Sequence, residues 1–467
     1  MVKKITSLKQ WLVSIAAIII ITIGTVVLVA FAQGYNYDAF HNQIYKTGLV
    51  LIDSNPNNAE VLLNNRKIDK KTPYRYSGAP AGNLEVGLEK EQYRDWSKKA
   101  TVIPGEVTFV NYALLLPDVL DQEQIASDII FSNVIQSENN QKTFALAKSP
   151  LSIFSISDDG DAKEIYSAVQ SSDPANPIID LYNIKISSDG QRLLFDQKLA
   201  NNTNQTISID TSNLRANNLT TEFGFVFSDI RFNPKNSSEL FWLDAGVLKK
   251  VQINDKNISS NLIDSIFQLD IEEDRLLVVK TNTVTGQPVD LYSYDLSGGN
   301  ENLLRQLEFD PKGYDILFVR SRYAEYLSVI YNSSSLAELV KNPYQKSDQN
   351  TQIKAIGADI FKQTISPSSR FLIYNQNNTL RSVDLEFNQD DNYGASLADL
   401  QAWAWYDDYH LVVRQNNTLR ILDYDGQNNY LLTPINDIAG FGILLNQKSI
   451  LPLNSSGNLY ELSLTKK

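Results

Sequence analysis

Residues 376–385 read QNNTLRSVDL, and residues 415–424 repeat them as QNNTLRILDY, thirty-nine residues later. Each copy follows an apolar run, Phe371-Leu372-Ile373-Tyr374 in one case and Leu411-Val412-Val413 in the other, and each ends in an alternating stretch. Alternation of this kind is the period of a half-buried strand. The spacing therefore predicts two strands joined by a tight hairpin. Asn377-Asn378 and Asn416-Asn417 suit a two-residue connection, because asparagine tolerates the positive φ that a type I′ turn demands.

The same unit can be followed through the rest of the chain from Asn133 onward. Second-strand candidates are Phe144-Ala145-Leu146, Leu193-Leu194-Phe195, Leu240-Phe241-Trp242, Leu276-Leu277-Val278, Ile316-Leu317-Phe318, Phe371-Leu372-Ile373, Leu411-Val412-Val413 and Ile450-Leu451. Third-strand candidates follow in step at 291–296, in the two opening copies, and at 459–464. A period scattering around 40 residues is the length of one four-stranded propeller blade. Ile186-Ser187-Ser188-Asp189-Gly190 with Leu193 and Phe195, and Ile365-Ser366-Pro367-Ser368-Ser369 with Phe371 and Ile373, resemble the repeat of TolB-like and WD40-like propellers. The expected fold of 133–467 is a β-propeller of eight blades, with seven blades and a stray hairpin as the alternative. The eighth unit lacks a fourth strand, and an open edge must be covered. The linker at 117–132, which includes Ile129-Ile130-Phe131, is expected to supply it.

Composition narrows the function classes. The 467 residues are too many for one ordinary core, so two or more domains are expected. The formal charge of −12, from 54 acidic and 42 basic side chains, would repel a phosphate backbone, so nucleic acid is excluded as a partner. Cysteine is absent and His41 and His410 are the two histidines, which removes zinc sites, redox pairs and most nucleophile–base arrangements.

The first element is a membrane segment. Residues 11–32 carry no charge, and 22 residues at about 1.5 Å rise cover the roughly 30 Å hydrocarbon layer. Lys3, Lys4 and Lys9 precede it in the tail at 1–10, and the next basic residue is Lys46. The positive-inside rule then leaves the amino terminus in the cytoplasm and all that follows outside. The competing reading is a cleaved signal peptide, for which Ala30-Phe31-Ala32 has the small-x-small form. Against cleavage stand the length of the apolar run and the interfacial aromatics Trp11, Tyr35 and Tyr37.

After a linker at 33–47, residues 48–116 alternate as short strands with turns at 55–58 and 64–65. They resemble the PEGA domain family through Ser54, Pro56, Ala59 and Val61, then Thr72-Pro73, Pro80-Ala81-Gly82 with Val86, Tyr93 and Trp96, and Pro104-Gly105-Glu106. Asn57-Asn58 replace the Glu-Gly of the name-giving tetrapeptide, and Gln92 replaces the glycine before Tyr93. The resemblance implies an exported surface module for binding or spacing. Tyr93 and Trp96 are expected in its core, since a small domain needs its large side chains there.

Several residue patterns fit either a site or plain packing. Trp403 and Trp405 share a strand face as a carbohydrate platform would, but in phase Trp405 matches Ile186, Phe232, Ile271, Phe309 and Ile365, and Trp403 matches Ile184, Ile230, Leu269 and Leu307. These are expected as core positions between blades. Lys185, Arg231, Asp270 and Glu308 alternate with those apolar pairs on inner strands. Buried charges must pair, so Arg231 and Asp270 are expected to approach each other. His410 with Asp407 and Asp408 lacks any G-x-S-x-G elbow. The adjacent carboxylates Asp158-Asp159, Asp390-Asp391 and Asp407-Asp408 are no evidence for an acid–base pair. Asp423-Tyr424-Asp425-Gly426 reads as a turn and not a calcium loop. The stretch 332–360 is longer than a hairpin loop; Ser335 to Val340 has the S-x-x-E form of a capping box, which predicts a short helix and a recognition rim.

No residue is therefore assigned to catalysis, a cofactor or a metal. The expected function is a single-pass, membrane-anchored extracytoplasmic protein of a bacterial cell envelope, not an enzyme, whose propeller recognises an envelope protein or a cell-surface glycan. The alternative is a propeller enzyme of lyase, glycosidase or quinone-dependent dehydrogenase type, with its site at the channel mouth.

Overall fold

The computed structural model describes residues 2–32, 34–38, 43–137, 142–171, 173–281, 286–344, 352–357, 359–387, 389–392, 397, 399–432, 435, 437–444 and 448–466. The chain divides into two compact units, Met1–Val119 and Leu120–Lys467.

The first unit opens with the helix Val2–Ala32, and its stretch Trp11–Ala30 is long and apolar enough to cross a membrane and is nowhere buried. Eight strands follow in two four-stranded sheets. The strand Gln43–Asn55 holds one sheet together: it runs antiparallel to Tyr35–Asp38 and Tyr74–Pro80 and parallel to Val107–Leu114. The other sheet is an antiparallel array of Arg66–Lys71, Glu60–Leu63, Gly82–Glu89 and Trp96–Val102. Alternate residues of both sheets, among them Val50, Ile52, Val86, Leu88 and Trp96, form one core. Trp96 is buried and meets Tyr112 edge-on, while Tyr93 packs on the rim of this core. The two departures from the family pattern fall where the backbone is left-handed: Asn58 and Gln92 both have φ +66°. Asparagine adopts that region readily, whereas glutamine pays the full steric cost of its Cβ.

The second unit contains eight four-stranded antiparallel sheets, taken in chain order. Their first strands are Ile130–Gln136, Ile178–Ile186, Asp229–Asn233, Ile266–Ile271, Tyr314–Arg320, Ile360–Ile365, Leu400–Trp405 and Ile438–Ile443. In both QNN copies the hairpin closes as its sequence demands. Gln376 pairs with Thr379 and Gln415 with Thr418, and Asn377, Asn378, Asn416 and Asn417 all have φ between +49° and +59°.

Apolar clusters lie between consecutive sheets and give the unit a propeller-like order. Phe144 and Ile153 of the first sheet pack with Leu193 and Phe195 of the second, and Leu277 and Leu291 of the fourth with Ile316 and Val329 of the fifth. Trp403 and Trp405, buried at 8% and 7% exposure, pack with Phe371 and Ile373 of the sixth sheet, so neither ring face is free for a sugar. Leu451, Leu453 and Leu459 of the eighth sheet join Phe131, Ala145 and Phe154 of the first.

The eighth sheet is completed by Gln122–Ile125, which pairs antiparallel with its third strand, Leu459 to Ile125 and Leu462 to Gln122. The covering strand thus comes from the expected linker. Ile130 and Phe131 instead open the first strand of the first sheet.

Two expectations are corrected. Ser335 to Val340 form no helix: Leu336–Lys341 is the third strand of the fifth sheet. Ser335, at φ +55°, turns the preceding hairpin, and Glu338 takes a two-pronged bond from Arg305 at 3.1 and 2.9 Å instead of capping a helix. The remainder of the expected insertion is largely the connection to the fourth strand Gln352–Gly357, and its residues 345–351 lie outside the described residues. The phase of the fifth unit also differs. Ile316-Leu317-Phe318 lie in a first strand, not a second, while Leu307 ends the outermost strand of the fourth sheet and Glu308 and Phe309 follow it.

Candidate functional site

Each first strand pairs on one side with its second strand and, among the described residues, leaves the other edge without a ladder partner. Unpaired carbonyls on such an edge need donors. Long polar side chains of neighbouring first strands provide them. Lys185 Nζ donates to the Ile230 carbonyl at 2.7 Å, and Arg231 Nη1 donates to that of Leu269 at 2.6 Å. The Gln268 amide acts as a short strand of its own, donating to the Tyr314 carbonyl at 2.6 Å and accepting the Tyr314 N–H at 2.8 Å. Gln363 Nε2 donates to the Asp315 carbonyl at 3.0 Å, and Gln136 to that of Ile443, which joins the eighth sheet to the first.

Threaded through these bridges is a row of charges. Asp229 takes both prongs of the Arg231 guanidinium at 3.2 Å and lies 3.9 Å from Lys185. Arg231 reaches Asp270 at 3.7 Å, so the expected approach of these two residues on consecutive sheets is realised. Burial pushes the Asp270 carboxyl up, with Asp315 adding to the rise and Gln268 and Arg231 opposing it. Burial likewise raises Asp315, against its hydrogen bonds from Gln363 and the charge of Lys362. It lowers Lys185, against the pull of Asp229.

The seventh and eighth first strands differ in kind. LQAWAW and IAGFGI carry no charge; a Cβ on Gly442 would meet the Val134 side chain at 2.6 Å, so that glycine makes room for the first sheet, and Arg414 Nη1 of the seventh sheet donates to the Ile438 carbonyl of the eighth at 3.4 Å. A second shared device is a register shift at the second residue of a first strand, present at Ile179, Phe267, Phe361, Gln401 and Ala439. Such bulges re-aim a side chain out of the ladder. Ile179 and Phe361 are consequently 52% and 65% exposed where their strands begin. Together with the charge row they define the candidate site.

The other sequence candidates are structural. His410 is buried between two carboxylates, its Nδ1 2.8 Å from Asp407 and its Nε2 3.5 Å from Asp423 on the paired strand. Burial opposes charge on Asp407, but His410 holds its carboxyl below the usual range. Asp408 accepts the Ser368 N–H at 2.6 Å, tying the sixth and seventh sheets, and Asp423 begins a turn in which Asp425 accepts the Gln427 N–H. The side chains of Asp390 and Asp391 lie outside the described residues. Asp315 was missed because of the phase error at the fifth unit, although a charged residue between Tyr314 and Ile316 was the signal. The bulge residues carry no mark in the sequence.

No curated protein matches this sequence. Solved structures of similar fold include an oligogalacturonate lyase in complex with manganese, 11% identical with 74% of this chain and 98% of that one covered at a TM-score of 0.43. A prolyl endopeptidase is 12% identical, with 71% and 53% covered at 0.47, so the chain spans about half of that protein. A eukaryotic initiation factor is 13% identical, with 72% and 91% covered at 0.43. Residues 47–116 match the model of the PEGA domain, the family that the motif residues from Ser54 to Glu106 resemble.

Proposed function

We propose that the chain is a membrane-anchored extracytoplasmic recognition protein. In this reading 11–32 is a retained anchor with the amino terminus in the cytoplasm, the PEGA domain is a spacer, and 120–467 is an eight-bladed propeller that binds an envelope protein or a cell-surface glycan at its channel mouth. The observation that carries it is the row from Lys185 to Asp315: its donors are committed to carbonyls of neighbouring strands, and a scaffold locked in this way presents a rigid rim on which Ile179 and Phe361 stand exposed. Affinity capture from intact envelopes with the anchored protein, compared with an Ile179→Asp/Phe361→Asp variant, tests it. Recovery of one defined protein or glycan by the parent and not by the variant is the expected result; equal recovery would reject this mouth as the site.

A second reading, an enzyme, draws support from the two elevated carboxyls of Asp270 and Asp315 on the first strands of consecutive sheets. It requires that turnover of an envelope polymer be lost in both Asp270→Asn and Asp315→Asn while the fold persists.

A further inference from the structure

At the exit of the helix three backbone segments meet at van der Waals distance. Gly34, two residues past Ala32, accepts the Thr47 N–H at 2.5 Å and the Thr47 hydroxyl at 2.9 Å. Thr47 in turn accepts the Gly105 N–H at 2.9 Å, and the Leu49 N–H reaches the Glu106 carbonyl at 3.0 Å. Side chains would not fit there. A Cβ on Gly34, whose φ is +82°, would collide with the Thr47 carbonyl oxygen and meet the Gly105 nitrogen at 2.6 Å, and one on Gly48 would meet the Ile103 oxygen at 2.6 Å. The turn at 103–106 is therefore clamped to the foot of the helix. A flexible tether would need none of this close approach.

Around that clamp the sheet surface exposes an apolar patch, bordered by Ser77 opposite Leu49 and Arg75 opposite Leu51. Ile103, Val107 and Phe109 are 44%, 43% and 57% exposed. Val107 stands opposite Leu49 and Phe109 opposite Leu51, both half-buried, on the outward face of the sheet. Tyr35 flanks them with the Lys46 ammonium 5.3 Å over its ring, an aromatic and a cation of the kind that sit at a headgroup layer. Phe109 is two residues along its strand from Val107, about 7 Å at a strand's rise. That lies within the depth of a bilayer's interfacial region, which adds about 5–8 Å on each side of the hydrocarbon core.

We infer that the PEGA domain is docked on the outer bilayer surface, with Ile103, Val107 and Phe109 entering the headgroup layer and the Gly34–Thr47–Gly105 junction fixing that pose. The inference rests on the anchor reading proposed above. The occupant is lipid rather than another protein because the patch is fastened to the end of the spanning segment and cannot leave its vicinity.

The chain has no cysteine, so single nitroxide labels can be placed without further change. Full-length protein in lipid nanodiscs would carry a label at Ile103→Cys, at Phe109→Cys, at Glu91→Cys in the turn at the opposite end of the domain, or at Val26→Cys within the helix. The ratio of accessibility to oxygen over a water-soluble nickel chelate reports depth. We expect the ratio at 103 and 109 to exceed that at 91 severalfold and to fall to the value at 91 when Gly34→Val opens the junction. Aqueous values at 103 and 109 with a deep value at 26 would overturn docking while leaving the anchor intact. An aqueous value at 26 would overturn the anchor and this inference with it. Unchanged depth in Gly34→Val would remove the junction from the proposal.

Discussion

The two units solve one problem, joining the start of a segment to its end, with seams of opposite direction. In the PEGA domain the first long strand and the last strand lie side by side and parallel, Leu49 beside Val107, and both contribute to the domain's core. In the larger unit the first strand, Gln122–Ile125, lies at the outside of the last sheet, antiparallel to Leu459–Ser463. A seam built on the domain's single core, through Val50, Ile52, Val110 and Ala113, takes the whole domain with it when lost. A seam at an edge rests on its own ladder and on a local cluster of Ile125, Leu453, Leu459 and Phe131.

Breaking the outer seam should show whether it is essential. Leu459→Asp places a carboxylate at a fully buried position; we expect it to unfold the larger unit, at a cost above about 4 kcal/mol, while the transition of the PEGA domain stays in place. Two separate transitions in a denaturation curve check this. Ile125→Ala should cost about 2–4 kcal/mol, and a smaller loss would mean that the seam adapts.

Between these two in size is His410. Replacing it with leucine leaves the buried carboxylate of Asp423 and that of Asp407 without their shared partner. We expect a loss of about 3–5 kcal/mol, read in the same curves. Because the folded protein holds Asp407 below the ordinary carboxylate value, its share of stability is present above pH 4 or so and fades as pH falls through the depressed value. That acid-side loss should vanish in Asp407→Asn.

Asp270 has the opposite sign. Its carboxyl is raised, so its favourable contribution is complete below about pH 4 and is lost as pH rises through the elevated value. Arg231 keeps Asp229 when Asp270 becomes asparagine. Asp270→Asn should therefore match the parent near pH 3 and exceed it in melting temperature at neutral pH. A small effect is expected at Gln92→Gly, which relieves a left-handed glutamine and should stabilise the PEGA domain by about 0.5–1 kcal/mol. Asn58→Gly should change little, since asparagine already tolerates that region.

These contrasts mark what could be read from the chain. The QNN hairpins were legible because turn chemistry is local: asparagine pairs at two adjacent positive-φ sites announce themselves. The charge row was half legible, since Arg231 and Asp270 stand between apolar neighbours in phase. Asp315 was not, because Tyr314–Arg320 is as apolar as a second strand and nothing local tells an inner strand from the next one out. Ser335 to Glu338 misled because a capping box and a hairpin turn use the same residues, and the choice was made by Arg305 on another sheet. The glycine junction was invisible, as its meaning lies in three segments meeting across 71 positions, from Gly34 to Gly105.

The outer seam also sets an order of events. Gln122–Ile125 leaves the ribosome more than three hundred residues ahead of Leu459–Ser463, and contacts of such separation form late because the loop must be closed before they contribute. Until then the early strand has no mate and the final sheet no rim. Synthesis must deliver a unit whose first strand waits for its last, so a stalled or truncated product would carry an open strand edge ready to pair with another molecule.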